Sequence, residues 1–142
     1  MNTKTHHSQI IIVEDDGELR VLLEYYLKTL GFQTIKFPSP IEALKDMRSG
    51  SLHEEIKTKS TPIIISDNSM PEMDGSTFHK IVQREFPQIP FILMTAFGSQ
   101  EDIEAAKKAR VFGFVSKPFE LSEIREAVFK AQEHLRLSKT CK

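Results

Sequence analysis

The sequence predicts a doubly wound α/β domain, a parallel sheet of five strands covered on both faces by five helices. Three observations carry this expectation. Apolar runs at Ile10 to Val13, Ile63 to Ile65, Phe91 to Met94 and, more weakly, Phe112 to Val115 are rich in β-branched and aromatic residues and too short for helices. The segments between them switch to the helical period. The alternation repeats along the chain, which favours a parallel sheet with right-handed helical crossovers over a sandwich or a bundle.

The elements follow in order. The first run lacks polar alternation, as a strand buried on both faces should. Leu19, Leu22, Leu23, Tyr26, Leu27 and Leu30 then follow the i, i+3, i+4, i+7, i+8, i+11 pattern of an amphipathic helix, with Gly31 placed to end it. Thr34 to Phe37 presents only Ile35 and Phe37 to one side, the pattern of an edge strand. Ser39-Pro40 supplies an N-cap and a first-turn proline for a helix through Ile41, Ala43, Leu44 and Met47, ending near Gly50. The polar stretch from Gly50 to Pro62 is longer than an ordinary connection. It reads as a surface insertion or an extra helical turn, or else as a dedicated partner surface.

A helix over Ser76 to Phe86 is stopped by Pro87. Ser99 and Asp102 resemble a capping box for a helix to about Ala109. Leu121, Ile124, Val128, Ala131 and Leu135 line one face of the final helix. With 142 residues and no interdomain linker or internal repeat, one domain over residues 1–142 is expected. Its core should run from about 9 to 137, with a short disordered start (1–8) and a tail (138–142).

Composition narrows the function. Nineteen basic against 20 acidic residues leave a net charge of -1, so no positive field recommends nucleic acid or an anionic membrane as partner. Cys141, the single cysteine, permits no internal disulfide and no multi-cysteine zinc site. No apolar stretch resembles a signal peptide or a membrane span. A cytoplasmic location is expected.

In an open parallel sheet, ligands bind beyond the carboxyl ends of the strands. Those ends carry Glu14-Asp15-Asp16, Ser66-Asp67, Thr95-Ala96 and Ser116-Lys117-Pro118. Crowded carboxylates repel unless a cation neutralises them, and two carboxylates, a carbonyl and waters make a usual Mg2+ shell with positions open to phosphate. Asp16 has the further reading of an N-cap. Lys117 would face a phosphoryl group as a point charge, with Thr95 donating to another oxygen. No serine, cysteine or histidine with a general base stands at these ends, so Asp67 is the candidate nucleophile of a phosphoryl transfer. The histidines form no phosphoacceptor or metal site: His6 and His7 lie at the start, His53 in the insertion, His79 and His134 on helices.

The segments Ile-Ile-Val-Glu14-Asp15-Asp16, Ile-Ser-Asp67-Asn-Ser-Met70-Pro71-Glu-Met73-Asp74-Gly75, Met-Thr95-Ala96 and Phe114-Val-Ser-Lys117-Pro118-Phe119 are similar to the receiver domain of two-component response regulators. The resemblance covers about residues 9 to 137. It implies the flavodoxin-like sheet order 2-1-3-4-5 of the chemotaxis receivers. It implies that Asp67 accepts a phosphoryl group from a phosphohistidine of a sensor histidine kinase or phosphotransfer protein. Mg2+ would be held by Asp15, Asp67 and the Ser69 backbone carbonyl, with Glu14 acting through water or positioning the metal. Thr95 and Lys117 would bind the phosphoryl oxygens, Phe114 would turn inward when Thr95 shifts, and Pro118 would follow a cis peptide. The output would be altered protein binding through the fourth predicted helix, the last strand and the fifth helix. No output domain is expected in the chain, so neither nucleic acid nor membrane is an expected partner.

Particular residues refine the comparison. Pro71 and Gly75 belong to a constrained turn, in which glycine takes a positive φ or allows close backbone approach. Met70 and Met73 are expected to plug the core. Ala109-Arg110-Val111 replaces the Ala-Gly-Ala common in the family. Ser69 and Phe97 occupy the variable positions that influence how fast the aspartyl phosphate hydrolyses, and a bulky Phe97 would slow that loss.

The rival readings are a receiver that is part of a larger signalling protein, a Mg2+-dependent phosphohydrolase, a flavin or nucleotide binder, and a receiver that works without phosphorylation. Ser69 stands where such hydrolases carry a second aspartate. No Gly-rich phosphate loop follows the first strand.

Overall fold

Buried β-branched runs set the frame. The computed structural model describes residues 8–58, 61–96 and 100–140. Among these, β1 (Ile10–Val13), α1 (Gly17–Thr29), β2 (Thr34–Phe37), α2 (Pro40–Ser49), α3 (Ser51–Thr58), β3 (Ile63–Asp67), α4 (Gly75–Glu85), β4 (Phe91–Thr95), α5 (Gln100–Ala109), β5 (Gly113–Ser116) and α6 (Leu121–Thr140) follow in sequence. All strand pairs are parallel, in the order β2-β1-β3-β4-β5, with Ile12 opposite Ile65 and Thr95 opposite Ser116.

Successive side chains of a strand point to opposite faces, so each central strand feeds two cores. Ile10, Ile12, Ile63, Ile65, Ile92, Met94 and Val115 pack against Leu23 and Leu27 of α1 and Ile124, Val128 and Ala131 of α6. On the other face, Ile11, Val13, Ile64, Phe91 and Leu93 pack with Leu44 and Met47 of α2, Phe78 and Val82 of α4 and Ala106 of α5. β1, β3 and β4 are fully buried, whereas β2 and β5, at the edges, are only partly so. Each central run is therefore apolar without alternation.

Local chemistry sets the helix ends. Asp16 caps α1 by accepting from the Glu18 and Leu19 N–H groups, and Gly31 follows that helix with φ 97°. Ser39 accepts from Glu42 N–H to cap α2, and Asp74 accepts from Thr77 N–H to cap α4.

Several expectations need correction. Among the described residues six helices form, not five, because the 50–62 stretch contains α3. Leu52 and Ile56, one turn apart, put an apolar edge against the α2 face of the core, and Leu52 is buried. Leu22 stands 46% exposed beside Val21 and Tyr25, so the apolar stripe of α1 is narrower than its spacing implied. Met70 and Met73 are half-buried, packed on the rim of the second core instead of within it. Ser8, assigned to the disordered start, is buried, and its N–H donates to Gln132 Oε1 at 2.6 Å. At the other end α6 continues to Thr140, past the expected edge at 137. His6, His7, Phe97, Ser99 and Cys141 lie outside the described residues.

Candidate functional site

The two-residue period that sorts the core also sorts the rim. Glu14 continues the Ile10 and Ile12 side of β1, Asp67 the Ile63 and Ile65 side of β3, and Lys117 the Val115 side of β5. Three ionisable groups from three strands thus reach the same face at the carboxyl end of the sheet. Thr95 continues the Phe91 and Leu93 side of β4, and Phe114 shares that opposite face, paired with Leu93 two residues below the Thr95–Ser116 pair.

The acidic groups converge closely. Glu14, Asp15 and Asp67 each offer a carboxylate oxygen within 4.8 Å of the others. Glu14 and Asp67 are buried while Asp15 is exposed. Lys117 Nζ stands 2.9 Å from Asp67 Oδ1 and 3.6 Å from Glu14 Oε1, an ion pair shared between both carboxylates. One ammonium therefore faces two buried carboxylates, with lone pairs left over. Burial raises the Glu14 pKa from 4.5 to about 7, and the Asp67 and Asp15 charges add to this against the Asp16 N–H and Lys117, which lower it. Burial by itself would lower the Lys117 pKa, but Asp67 and Glu14 outweigh it and hold the ammonium above its ordinary value.

The backbone fixes this arrangement. Lys117 N–H donates to the Thr95 carbonyl at 2.7 Å, and the Lys117–Pro118 peptide is cis. Beyond β3, Asn68 N–H donates to the Met94 carbonyl, and the Asn68 carbonyl accepts from Gly75 N–H at 2.9 Å. Its Oδ1 accepts from Ser76 N–H and Oγ, which closes the 68–76 turn. Of the two roles open to Gly75, close approach is the one used: a Cβ there would lie 2.5 Å from the Asp67 carbonyl oxygen. The positive φ of this turn belongs to Glu72, at 75°.

Every candidate from the sequence has a defined place except Phe97, which lies outside the described residues. Glu14 and Asp15 follow β1, Asp67 ends β3, Thr95 ends β4 and is 4% exposed, and Lys117 follows β5. Ser69 is exposed in the turn two residues past Asp67, and Phe114 is half-buried on the second core. Asp16 caps α1 and is not part of the acidic cluster. Arg20 was missed. Its Nη1 donates to the Glu14 carbonyl at 2.7 Å, tying the first turn of α1 to the acidic loop. Its position one helical turn after Asp16 was the available signal.

This geometry belongs to a known class. The family model of the response regulator receiver domain matches residues 10–129, and the chain is a member of that family, the phosphoacceptor domains of two-component signalling. Sporulation initiation phosphotransferase F of Bacillus subtilis (strain 168) is 31% identical over 125 residues, covering 87% of this chain and 93% of that protein. The DNA-binding transcriptional regulator NtrC of Klebsiella pneumoniae is 31% identical over 123 residues, 87% of this chain and 24% of that protein. The chain thus spans about a quarter of the length of such regulators. A response regulator receiver domain protein from Clostridium thermocellum shares the fold, with a TM-score of 0.79 over 92% of this chain and 98% of the other at 19% identity. Among the described residues no helix is long and apolar enough to cross a membrane.

Proposed function

We propose that the chain is a phosphorylation-controlled switch in which Asp67 is the phosphoryl acceptor. The observation that carries this reading is the buried Asp67 carboxylate at the end of the central strand, with two acidic neighbours and an ammonium at 2.9 Å. A carboxylate oxygen attacks the phosphorus of a phosphohistidine or small acyl-phosphate donor as the bond to the leaving group breaks, and that group departs with its electron pair. Lys117 and the Thr95 hydroxyl then hold the phosphoryl oxygens.

The donor set fits a hard divalent cation. Three carboxylates with oxygens within 4.8 Å of each other share one close ammonium, and the raised pKa of Glu14 marks the positive charge still lacking. Asp15, Asp67 and the Ser69 carbonyl would hold Mg2+, with Glu14 positioning it or acting through water. When bound, the ion neutralises the carboxylates and the oxygens of the incoming phosphoryl group. Arg20 holds the Glu14 carbonyl, and Gly75 lets the α4 start sit against Asp67.

Thr95 and Phe114 share one face of adjacent strands, so a shift of Thr95 toward a phosphoryl group opens room for Phe114 to move inward. The output surface is then α5, β5 and α6, where a groove of about 380 Å3 runs between Phe112, Phe114, Glu126 and Lys130. Upstream, the partner is a sensor histidine kinase or a phosphotransfer protein. Val21, Leu22 and Tyr25 give it an exposed apolar strip on α1, the helix that starts beside Asp15.

The match over 93% of the Bacillus protein supports action as a single-domain switch. The NtrC match favours a second reading, a receiver working inside a longer regulator, with the same acceptor chemistry. Intact mass after incubation with acetyl phosphate tests the shared claim. One phosphoryl adduct is expected with Mg2+, none with a chelator and none in Asp67→Asn; an adduct of equal yield in Asp67→Asn would refute it.

A further inference from the structure

The turn that leaves the acceptor strand is anchored by its first residue. Asn68 N–H donates to the Met94 carbonyl of β4 at 2.8 Å, and the Asn68 carbonyl accepts from Gly75 N–H at 2.9 Å. The side-chain Oδ1 accepts from Ser76 N–H at 3.1 Å and from Ser76 Oγ at 3.2 Å. The N–H groups of Gly75, Ser76 and Thr77 have no carbonyl to meet within α4. Asn68 takes the first two and Asp74 Oδ1 the third. One residue therefore stitches the end of β3 to β4 and to the start of α4.

Asp67 precedes this anchor and Ser69 follows it. On the function proposed above, these two give Mg2+ a carboxylate oxygen and a backbone carbonyl. Ser69 is exposed, and no hydrogen bond to another described residue holds it. Further along, Glu72 adopts φ 75° and Met73 N–H donates to the Pro71 carbonyl at 2.8 Å. Where the Ser69 carbonyl points is thus set by how firmly Asn68 is held. Asn68 Oδ1 already accepts two hydrogen bonds, so it is spent as a ligand and acts through its neighbours.

Geometry separates the common divalent ions. Mg2+ demands a near-octahedral set of oxygens at about 2.0–2.1 Å, whereas Ca2+ takes six to eight at about 2.3–2.6 Å in a looser shell. Loosening one ligand therefore costs Mg2+ more than Ca2+. We propose that Asn68 is a positioning residue that gives the site its preference for Mg2+ over Ca2+, by tying the turn that carries the Ser69 carbonyl to α4 through Ser76. This inference rests on the metal reading above and adds to it the residue that sets the selectivity.

Calorimetric titration of the full chain at pH 8 with MgCl2 and, separately, with CaCl2 tests it. Asn68→Ala should lower Mg2+ affinity about ten- to a hundredfold, the usual range for losing a group that orients a ligand, and Ca2+ affinity by a smaller factor. Ser76→Ala, which removes one of the two bonds, should move the Mg2+ to Ca2+ ratio the same way by less. Asn68→Asp keeps an oxygen for Ser76, and its added charge draws both divalent ions alike, so the ratio should stay near that of wild type. Asp74→Ala removes the other α4 cap without touching Asn68; it should unfold at lower urea yet keep the ratio. Equal Mg2+ affinity in folded Asn68→Ala, both ions losing the same factor, or the ratio falling as far in Asp74→Ala would each overturn the role of Asn68. Wild type without saturable Mg2+ binding would instead bring down the metal reading, and this inference with it.

Discussion

Lys117 is bound to Thr95 by backbone and to Asp67 by charge: its N–H donates to the Thr95 carbonyl at 2.7 Å while its ammonium stands 2.9 Å from Asp67 Oδ1. One residue thereby joins the ends of β3, β4 and β5. On the function proposed above, a phosphoryl group on Asp67 would carry negative charge outward from a carboxylate that the ammonium already faces.

Removing that ammonium leaves two carboxylates whose side chains are 1% and 5% exposed without their close cation. Lys117→Met should cost about 2 kcal/mol in metal-free buffer, less than a fully buried pair because the lysine is partly exposed. Saturating Mg2+ or a second change, Asp67→Asn, should restore most of the loss. Urea unfolding of wild type, Lys117→Met, Asp67→Asn and the double variant, each with and without Mg2+, reads this directly; Lys117→Met as stable as wild type without metal would contradict it.

Glu14 supplies a pH dependence with a definite sign. Its pKa is about 7 in the fold against 4.5 as the ordinary value, so between these values the folded chain holds more protons than the unfolded one. Metal-free stability therefore gains from Glu14 at low pH and loses that gain as pH rises through this window. Mg2+ requires the proton to leave, so its affinity should drop by up to roughly tenfold per unit below about pH 7. Asp15→Ala should weaken Mg2+ at pH 8 by at least about tenfold. Calorimetric titration across pH checks both; equal Mg2+ affinity in Asp15→Ala would remove the metal assignment.

Gly75 tests how closely the turn presses on the acceptor strand. An added Cβ would meet the Asp67 carbonyl oxygen at 2.5 Å and Asn68 Cα at 2.9 Å, both backbone atoms that cannot swing aside. Gly75→Ala should cost about 2–3 kcal/mol and slow phosphorylation, because relief requires moving Asp67 itself. A variant with wild-type stability and rate would show that the turn yields freely.

The rim was legible in the sequence for a plain reason. Strand ends in a parallel sheet converge, so Glu14, Asp15, Asp67, Thr95 and Lys117 could be gathered by locating four apolar runs. Facing was harder. Leu22 fits the helical period of α1 yet stands in solvent, because Leu23 and Leu27 fill the contact with the sheet and leave no room for a wider stripe. Helix α3 was hidden because Leu52 and Ile56 are only two apolar residues in a polar stretch, and packing on the second core decides their state. Arg20 carried only its position one turn after Asp16, and His79 carried no motif; what His79 touches depends on contacts across elements that no local pattern encodes.

His79 shows such a contact in its pH response. Burial against Phe91 lowers its pKa below the ordinary 6.5, with Arg110 and His134 as the other basic side chains lining the same small pocket at the start of β4. Its contribution to stability is complete above about pH 6.5 and is lost as pH falls toward the lowered folded value. Unfolding free energies from pH 8 to pH 5 should fall more steeply for wild type than for His79→Leu. Parallel curves would mean that the imidazole titrates alike in both states.

The central claim is that one carboxylate, Asp67, carries the phosphoryl group. Borohydride reduces an acyl phosphate to the alcohol and so turns a phosphorylated aspartate into homoserine, which peptide mapping locates. After treatment with acetyl phosphate and Mg2+, homoserine is expected at position 67 alone. Homoserine at position 15, the reduced form of Glu14, or no reduced residue in protein that shows the mass adduct would contradict the account.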